Sequence, residues 1–378
     1  MRVMIVVTHL LGTGHLARAL TLARAYLAAG HDARVVSGGR KVPLLERGEV
    51  VVEQLPPLHS NGTDFKRLLG ADGAVATPDY YAARQAALLD SLAVFQPDVL
   101  ITELFPFGRR SLQAEHLALL QAACKDARPP LICSSVRDIL APPSTPEKAL
   151  KTQNILLEYY DAVLVHSDAA VTPLDTSWPV TPQIRPLLHY TGFVAQAPAP
   201  PHPQKLGQGE IIVSAGGGAV GLPVFEAALK AAKQDATWRW RLLVGGQDTT
   251  IIAALAQGAS DNVTVQAARP DFRQMLHHAA ASVSLCGYNT ALDVLQTGVP
   301  AVFVPFDEGG EVEQGLRADA LGQMDGIEVL RAGQLDGSTL LGKLTIALGA
   351  PMRAPKKTGL DGAARSVNIS MKLRKDKT

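Results

Sequence analysis

The chain has 378 residues, of which 47% are hydrophobic and 19% charged, with a formal net charge of +1. That length exceeds one ordinary core and suits two domains of about 150–200 residues each. The near-neutral balance argues against nucleic acid as the main partner, because phosphate binding needs a strongly basic face. No apolar run reaches the roughly 18 residues that span a bilayer. The opening MRVMIVVTHL runs straight into a strand-like pattern without a small-residue cleavage site, so no signal peptide is expected. Cys124, Cys133 and Cys286 are scattered and lack metal spacing. That fits a reducing cytoplasm and excludes a disulfide scaffold or a cysteine zinc site.

In chain order, the N-terminal half alternates β-branched runs with helical patterns. RVMIVVT (2–8), ARVVS (33–37), DVLIT (98–102), LICSS (131–135) and AVLVH (162–166) read as buried strands. Between the first two, Leu16, Ala19, Leu20, Ala23 and Leu27 recur at helical steps and give one apolar face. Near-continuous apolar strands alternating with helices predict a parallel sheet covered on both sides. Segment 38–80 is loop-rich and gives no clear element. The stretch 193–209 is proline-rich and predicts a stiff, exposed linker. The pattern then restarts with EIIVSA (210–215), WRLLVGG (240–246), NVTVQ (262–266), ASVSLC (281–286), PAVFVP (300–305) and IEVL (327–330). The expected division is a Rossmann-like domain at 1–195, a linker at 196–209, a second Rossmann-like domain at 210–350, and a tail at 351–378. The tail holds eight basic and two acidic residues. It reads as a solvated helix end, with peripheral contact to an anionic membrane as the minor alternative.

Open parallel sheets bind ligands at the carboxyl ends of their strands. Gly12, Thr13 and Gly14 follow the first strand and open the first helix, where backbone can approach an anion. A dinucleotide fingerprint would place a third glycine at Ala17 and an acid after the second strand. Ser37-Gly38-Gly39 stands there instead, which weakens a nicotinamide reading. His15, at the start of the helix, suits a neutral imidazole that takes a proton from an alcohol; packing under the loop is the bland alternative. Glu103, directly after DVLIT, is placed to orient His15 or to act as the base itself. Arg109 and Arg110 suit an anionic acceptor, or a plain surface role. In the second half, Gly216, Gly217 and Gly218 form another phosphate-compatible turn. Gly287, Tyr288, Asn289 and Thr290 end a strand and open a helix, and Asp293 lies one turn on, where it suits vicinal ribose hydroxyls. Asp307, Glu308, Glu311, Glu313 and Gln314 crowd one later loop and suit sugar hydroxyls, although such a cluster is usually just solvated. His277-His278 reads as packing rather than metal binding. No Asp-x-Asp pair occurs, so no metal is expected.

GTGHLARALTLA, GYNTALDVLQTGVPAVFVP and EVEQGLRADAL together resemble the GT-B glycosyltransferases. Within them the chain is most similar to the group of the peptidoglycan N-acetylglucosaminyltransferase, glycosyltransferase family 28. TELFPFGRR (102–110) looks like an uncharacterised bacterial branch of predicted glycosyltransferases. The resemblance spans 1 to about 330 and is weakest over 38–95. It implies an α/β, GT-B fold, with two Rossmann-like parallel-sheet domains facing across a cleft. It also implies cytoplasmic or membrane-peripheral placement and a nucleotide-sugar co-substrate, uridine-linked, with no separate cofactor. Matched position by position, Asp293 takes the place of the family's ribose-binding glutamate. Glu313-Gln314 takes that of its paired glutamines for the donor sugar. Arg269 falls near the base contact, and Gly216–Gly218 and Gly287–Thr290 match the diphosphate contacts. His15 matches a histidine proposed as base or acceptor-side residue.

The implied reaction is metal-independent, inverting transfer of a sugar to an acceptor hydroxyl: a polysaccharide, a lipid carrier or a small metabolite. Rival expectations are a nucleotide-sugar hydrolase or 2-epimerase of the same fold. From another class comes a non-catalytic nucleotide-sugar binder.

Overall fold

A computed structural model describes residues 1–43, 45, 47–60, 67–170, 172–217, 219–245, 249–307 and 312–377. The chain forms two compact units, 1–196 with 359–378, and 197–358.

Unit 1 runs β1 (Arg2–Val7), α1 (Gly14–Ala28), β2 (Asp32–Ser37), β3 (Val51–Gln54), α2 (Pro78–Phe95), β4 (Val99–Glu103), α3 (Gln113–Cys124), β5 (Leu131–Arg137), α4 (Pro146–Tyr159), β6 (Ala162–His166) and β7 (Leu188–Tyr190). Its sheet has the order β3-β2-β1-β4-β5-β6-β7, and every pairing is parallel. The central strands alternate their side chains into two apolar layers. Met4, Val6, Leu100, Val163 and Val165 face one, and Val3, Ile5, Val7, Ile101 and Leu164 the other. Burial on both faces is why these strands read as unbroken apolar runs. Strand order reverses between β1 and β4, so ligand chemistry is expected beyond their carboxyl ends. β3 and β7 are the sheet edges and were not foreseen. Their sequences, VVEQ and LHY, are short and only partly buried.

Unit 2 runs β8 (Glu210–Gly217), α5 (Leu222–Gln234), β9 (Arg239–Gly245), α6 (Thr249–Gln257), β10 (Val263–Ala267), α7 (Phe272–Met275), β11 (Ala281–Ser284), α8 (Tyr288–Thr297), β12 (Ala301–Phe303), α9 (Glu313–Leu321), β13 (Ile327–Val329) and α10 (Gly337–Gly349). Its parallel sheet is ordered β10-β9-β8-β11-β12-β13, with the reversal between β8 and β11. α8 buries Ala291, Leu292, Val294 and Leu295 and stops at Gly298, whose φ of 73° only glycine adopts readily. A Cβ there would also sit 2.4 Å from the Arg353 carbonyl oxygen.

Two sequence expectations change. The tail is no solvated end: α11 (Gly362–Lys377) belongs to unit 1 and buries Val367 in the layer that also holds α1. Arg374 and Lys377 donate to the carbonyls of Pro129 and Pro130, and Lys377 pairs with Asp161 at 2.6 Å, so these charges engage unit 1. The proline-rich stretch is not a free linker either. Arg273, His277 and His278 bond the carbonyl oxygens of Ala197, Ala199 and His202, which fastens it along unit 2. His277-His278 thus has a packing role, and among the described residues no helix is long and apolar enough to cross a membrane.

Candidate functional site

The site in unit 1 grows from the ends of β1 and β4. After β1 the chain passes through exposed Gly12 and Thr13 into α1, which carries His15 in its first turn. Gly38, after β2, allows β1 to be approached closely: a Cβ would lie 2.3 Å from Thr8 Oγ1 and 2.6 Å from Arg84 Nη2. Packing against the end of β1 therefore accounts for a glycine where a dinucleotide site would want an acid. β4 ends at Glu103, and the next residues turn sharply, with Leu104 at φ 69° and Arg109 at φ 58°. Non-glycine residues held in the left-handed region gather at functional sites because the surroundings must impose them.

His15 Nδ1 lies 3.0 Å from Glu103 Oε1, and the Arg18 guanidinium grips the same oxygen. Ser135 donates to Glu103 Oε2 at 2.6 Å. Glu103 is sealed, whereas His15 keeps 15% of its side chain exposed. Burial opposes the charge on Glu103, but Arg18 and His15 overcome it and hold the carboxyl well below the ordinary range. His15 Nδ1 faces both Glu103 Oε1 at 3.0 Å and Arg18 Nη2 at 3.2 Å; with its proton directed to the ionised Oε1, which the arginine also grips, the neutral ring presents an unprotonated Nε2. Burial, reinforced by the charge of Arg109 and lesser effects of Arg137 and Arg18, pulls the His15 pKa from 6.5 to about 3, against the pull of Glu103. Arg109 donates through Nε to the Thr8 carbonyl at 2.6 Å, and burial lowers its pKa to about 10. Arg110 is exposed and donates to Phe107 O within its own loop. Arg109 is thus gathered with His15 and Glu103, and Arg110 is not.

In unit 2 the strand ends present backbone. Gly216 and Gly217 close β8, while Gly218 and Glu311 lie outside the described residues, as does Glu308. α8 starts after Gly287, which has no side chain to cap the helix. A Cβ on Gly287 would meet nothing within 4 Å, and Asn289 and Thr290 are half-buried beside it. Tyr288 turns inward, with Arg317 packed over its ring at 5.8 Å while donating to the Cys286 carbonyl at 2.9 Å. Asp293 accepts from Arg273 Nε at 2.7 Å. Burial still wins over that cation and raises the Asp293 pKa from 3.8 to about 6. Arg269 is engaged with Asp271 at 2.8 and 2.6 Å; the arginine that reaches Asp293 is Arg273. Glu313 is buried, and Gln314 accepts from the Phe306 amide at 3.2 Å. Sequence reasoning missed Arg18, Ser135, His166, Arg273 and Arg317.

Two parallel-sheet α/β units, each with its reversal beside a glycine turn, define the GT-B glycosyltransferase fold. Solved structures agree. The glycosyltransferase VinC in complex with dTDP has a TM-score of 0.65 at 16% identity, covering 100% of both chains. MurG of Acinetobacter baumannii has a TM-score of 0.57 at 15% identity, covering 99% of this chain and 95% of that one. The calicheamicin glycosyltransferase CalG4 scores 0.59 at 19% identity, covering 99% and 95%. Residues 212–365 match the glycosyltransferase family 28 C-terminal domain. A curated relative from Chelativorans sp. (strain BNC1) is 28% identical over 180 residues, 46% of this chain. It is a UDP-N-acetylglucosamine--N-acetylmuramyl-(pentapeptide) pyrophosphoryl-undecaprenol N-acetylglucosamine transferase, and the chain spans 47% of its length.

Proposed function

We propose that this protein is a glycosyltransferase that moves a sugar from a nucleotide-diphosphate donor, uridine-linked, to an acceptor hydroxyl, without a metal and with inversion. The observation that carries this reading is a partly exposed His15 whose Nδ1 lies 3.0 Å from the buried Glu103 carboxylate. The acceptor O–H gives its proton to His15 Nε2 as its oxygen bonds the anomeric carbon. The bond from that carbon to the diphosphate breaks, and its electron pair leaves with the diphosphate. Glu103 orients the base and offsets the charge of the imidazolium.

An imidazole with a pKa near 3 is unprotonated at neutral pH, but it holds a captured proton weakly. Arg109 and Arg137 are among the causes, so negative charge arriving with substrate raises its basicity when transfer requires it. Arg109 is accordingly the acceptor-side cation of this reading, while the exposed Arg110 is a weaker candidate.

Unit 2 holds the donor in this reading. The N-terminal end of α8 and the open space at Gly287 suit a diphosphate, and Asp293 suits the ribose hydroxyls. The family 28 domain supports that assignment through residues 212–365, which include all of these positions. Gly12, Thr13 and Gly14, the β8 glycines, Arg269, Glu313 and Gln314 complete the proposed donor contacts. The acceptor class is a polysaccharide, lipid-linked or small hydroxyl compound.

The test is a nucleotide-sugar panel, with and without acceptor extract, on the wild type and His15→Ala. Transfer product that forms only with acceptor and disappears in His15→Ala supports the reading. Rapid release of free sugar without acceptor would make the chain a hydrolase, and a changed sugar still on its nucleotide an epimerase. Donor binding with no turnover would leave a non-catalytic binder.

A further inference from the structure

Behind Glu103 lies a row of polar side chains that the proposed reaction does not use. Glu103 and His166 end β4 and β6, Ser135 lies two residues before the end of β5, and Thr191 follows β7. Glu103 and Ser135 face each other in the strand register. All of these residues are buried: Glu103 is 2% exposed, and Ser135, His166 and Thr191 are 0% exposed. Buried polar groups are costly unless bonded, and these are bonded to one another. Ser135 Oγ is 2.6 Å from Glu103 Oε2 and 2.9 Å from His166 Nε2, and His166 Nδ1 is 2.9 Å from Thr191 Oγ1.

Counting protons fixes the direction of the row. Glu103 is ionised and only accepts, so the single Ser135 proton points at Oε2. Ser135 Oγ is left to accept, and His166 must donate to it from Nε2. Burial, with the charge of Arg18 and against that of Glu103, takes the His166 pKa to about 3, so the ring is neutral and its Nδ1 carries a lone pair. Thr191 faces that lone pair at 2.9 Å and the Gly192 carbonyl at 2.7 Å. From His166 through Ser135 the row is therefore polarised toward the carboxylate, while Thr191 donates to the Gly192 carbonyl. The row holds the one carboxylate oxygen that His15 does not touch.

We infer that Ser135 and His166 are positioning residues that lock the Glu103 carboxylate, and through it the tautomer and aim of His15. The inference rests on the reading of His15 as the base. A carboxylate held at Oε1 alone can turn about its terminal bond. One held at both oxygens, by Arg18 and His15 on one side and Ser135 on the other, cannot turn without breaking a charge-assisted bond. His166 acts one step further back, by keeping the Ser135 proton from turning away. The charged groups acting on His15 are Glu103, Arg18, Arg109 and Arg137, and those on His166 are Glu103 and Arg18.

The experiment needs no substrate. The full chain is labelled with 15N-histidine, and two-bond proton–nitrogen spectra report the tautomer of His15 at pH 7. The wild type is expected as the Nδ1–H form. In Ser135→Ala the ratio of Nε2–H to Nδ1–H forms should rise about tenfold, the scale for losing one hydrogen bond to a charged group. Ser135→Thr keeps the hydroxyl and should restore the wild-type spectrum. His166→Leu should move the ratio in the same direction by less, and His166→Gln, which still donates an N–H, should restore it. Melting midpoints measured alongside show that each variant is folded; a purely structural role would shift those midpoints and leave the tautomer alone. An unchanged His15 spectrum in folded Ser135→Ala and His166→Leu overturns the inference, as does Ser135→Thr behaving like Ser135→Ala. Failure of the base assignment is read separately, as undiminished turnover in His15→Ala.

Discussion

The two units share an architecture and equip it in opposite ways. In unit 1 the strand ends carry side chains: Glu103, Ser135 and His166, with His15 and Arg18 on the first helix, most of them buried and bonded to each other. In unit 2 the corresponding places carry glycines and the start of α8, with Asp293 and Arg273 only partly covered. The difference follows from the work each arrangement suits. A proton acceptor must be held in one tautomer, which needs enclosed partners. A diphosphate is met by backbone amides, which need open space and residues without a Cβ. Recognition by backbone leaves a compact sequence motif, and the family match at 212–365 falls there. A side-chain network whose members stand at 15, 18, 103, 135 and 166 leaves none.

The largest expected effect breaks that division of labour outright. His15→Ala should lower turnover about 10²–10⁴-fold with donor affinity unchanged. Asp293→Asn should weaken donor binding about tenfold and leave turnover at saturating donor nearly intact. Steady-state kinetics alongside calorimetric binding of the donor separates the two. An equal loss of donor affinity in both variants would remove the contrast between the units.

Stability should show the next largest contrast. The Arg18–Glu103 pair has side-chain exposures of 2% and 1%, against 21% and 16% for Arg273–Asp293. Removing one partner of a buried pair strands the other, at about 3–5 kcal/mol. The second pair is less enclosed and Asp293 can take up a proton once Arg273 is gone, so a smaller loss, about 1–2 kcal/mol, is expected there. Urea unfolding of Arg18→Met and Arg273→Met measures both. Similar losses would mean that Glu103 finds another partner once Arg18 is gone.

Acid should part the units by sign. His15 and His166 have ordinary pKa values of 6.5 and folded values of about 3. Burial also lowers His9 and His116. The stability these neutral rings contribute is present in full above about 6.5 and is lost as pH falls toward 3. Asp293 runs the other way. Its folded pKa of about 6 lies above the ordinary 3.8, so its contribution is full below 3.8 and is lost as pH rises through 6. Hydrogen exchange at pH 7.5 and 4.5, corrected for intrinsic rates, should show protection falling in peptides from 1–196 and not in those from 197–358. A uniform loss would mean that the units unfold together.

Much of this frame was legible from residue order. Each interior strand of both sheets coincides with an apolar run, because burial on two faces forbids polar alternation. The edges β3 and β7 escaped notice, since VVEQ and LHY are short and half-buried and resemble loop. His15 stood out at the start of the first helix, and Glu103 directly after the run DVLIT. Ser135 and His166 are the last residues of LICSS and AVLVH, where they read as strand filler. A polar residue closing an otherwise apolar run at the ligand-binding edge was the available signal. Arg18 gave less: it lies among Leu16, Ala19 and Leu20 on a helix face that spacing marks as core, and only the buried carboxylate 85 positions away explains it. α11 was misjudged because composition counts charges without showing that Arg374 and Lys377 have carbonyl partners on unit 1.

That last helix supplies the smallest test, and it bears on where unit 1 ends. Tyr26 on α1 and Ser370 on α11 share a hydrogen bond of 2.7 Å between fully buried hydroxyls. Ser370 also donates to the Val367 carbonyl at 3.0 Å, so its proton has a second acceptor. Tyr26 must then donate, and Tyr26→Phe removes a donor without stranding Ser370. The cost should sit near the low end for a buried hydrogen bond, about 1 kcal/mol. Ser370→Ala strands the Tyr26 hydroxyl instead and should cost more, while the double variant should cost less than the sum. Exchange in peptides covering 362–377 and 14–28 should quicken together, with unit 2 unaffected. If α11 alone loosens, it is an appendage of unit 1 rather than part of its fold.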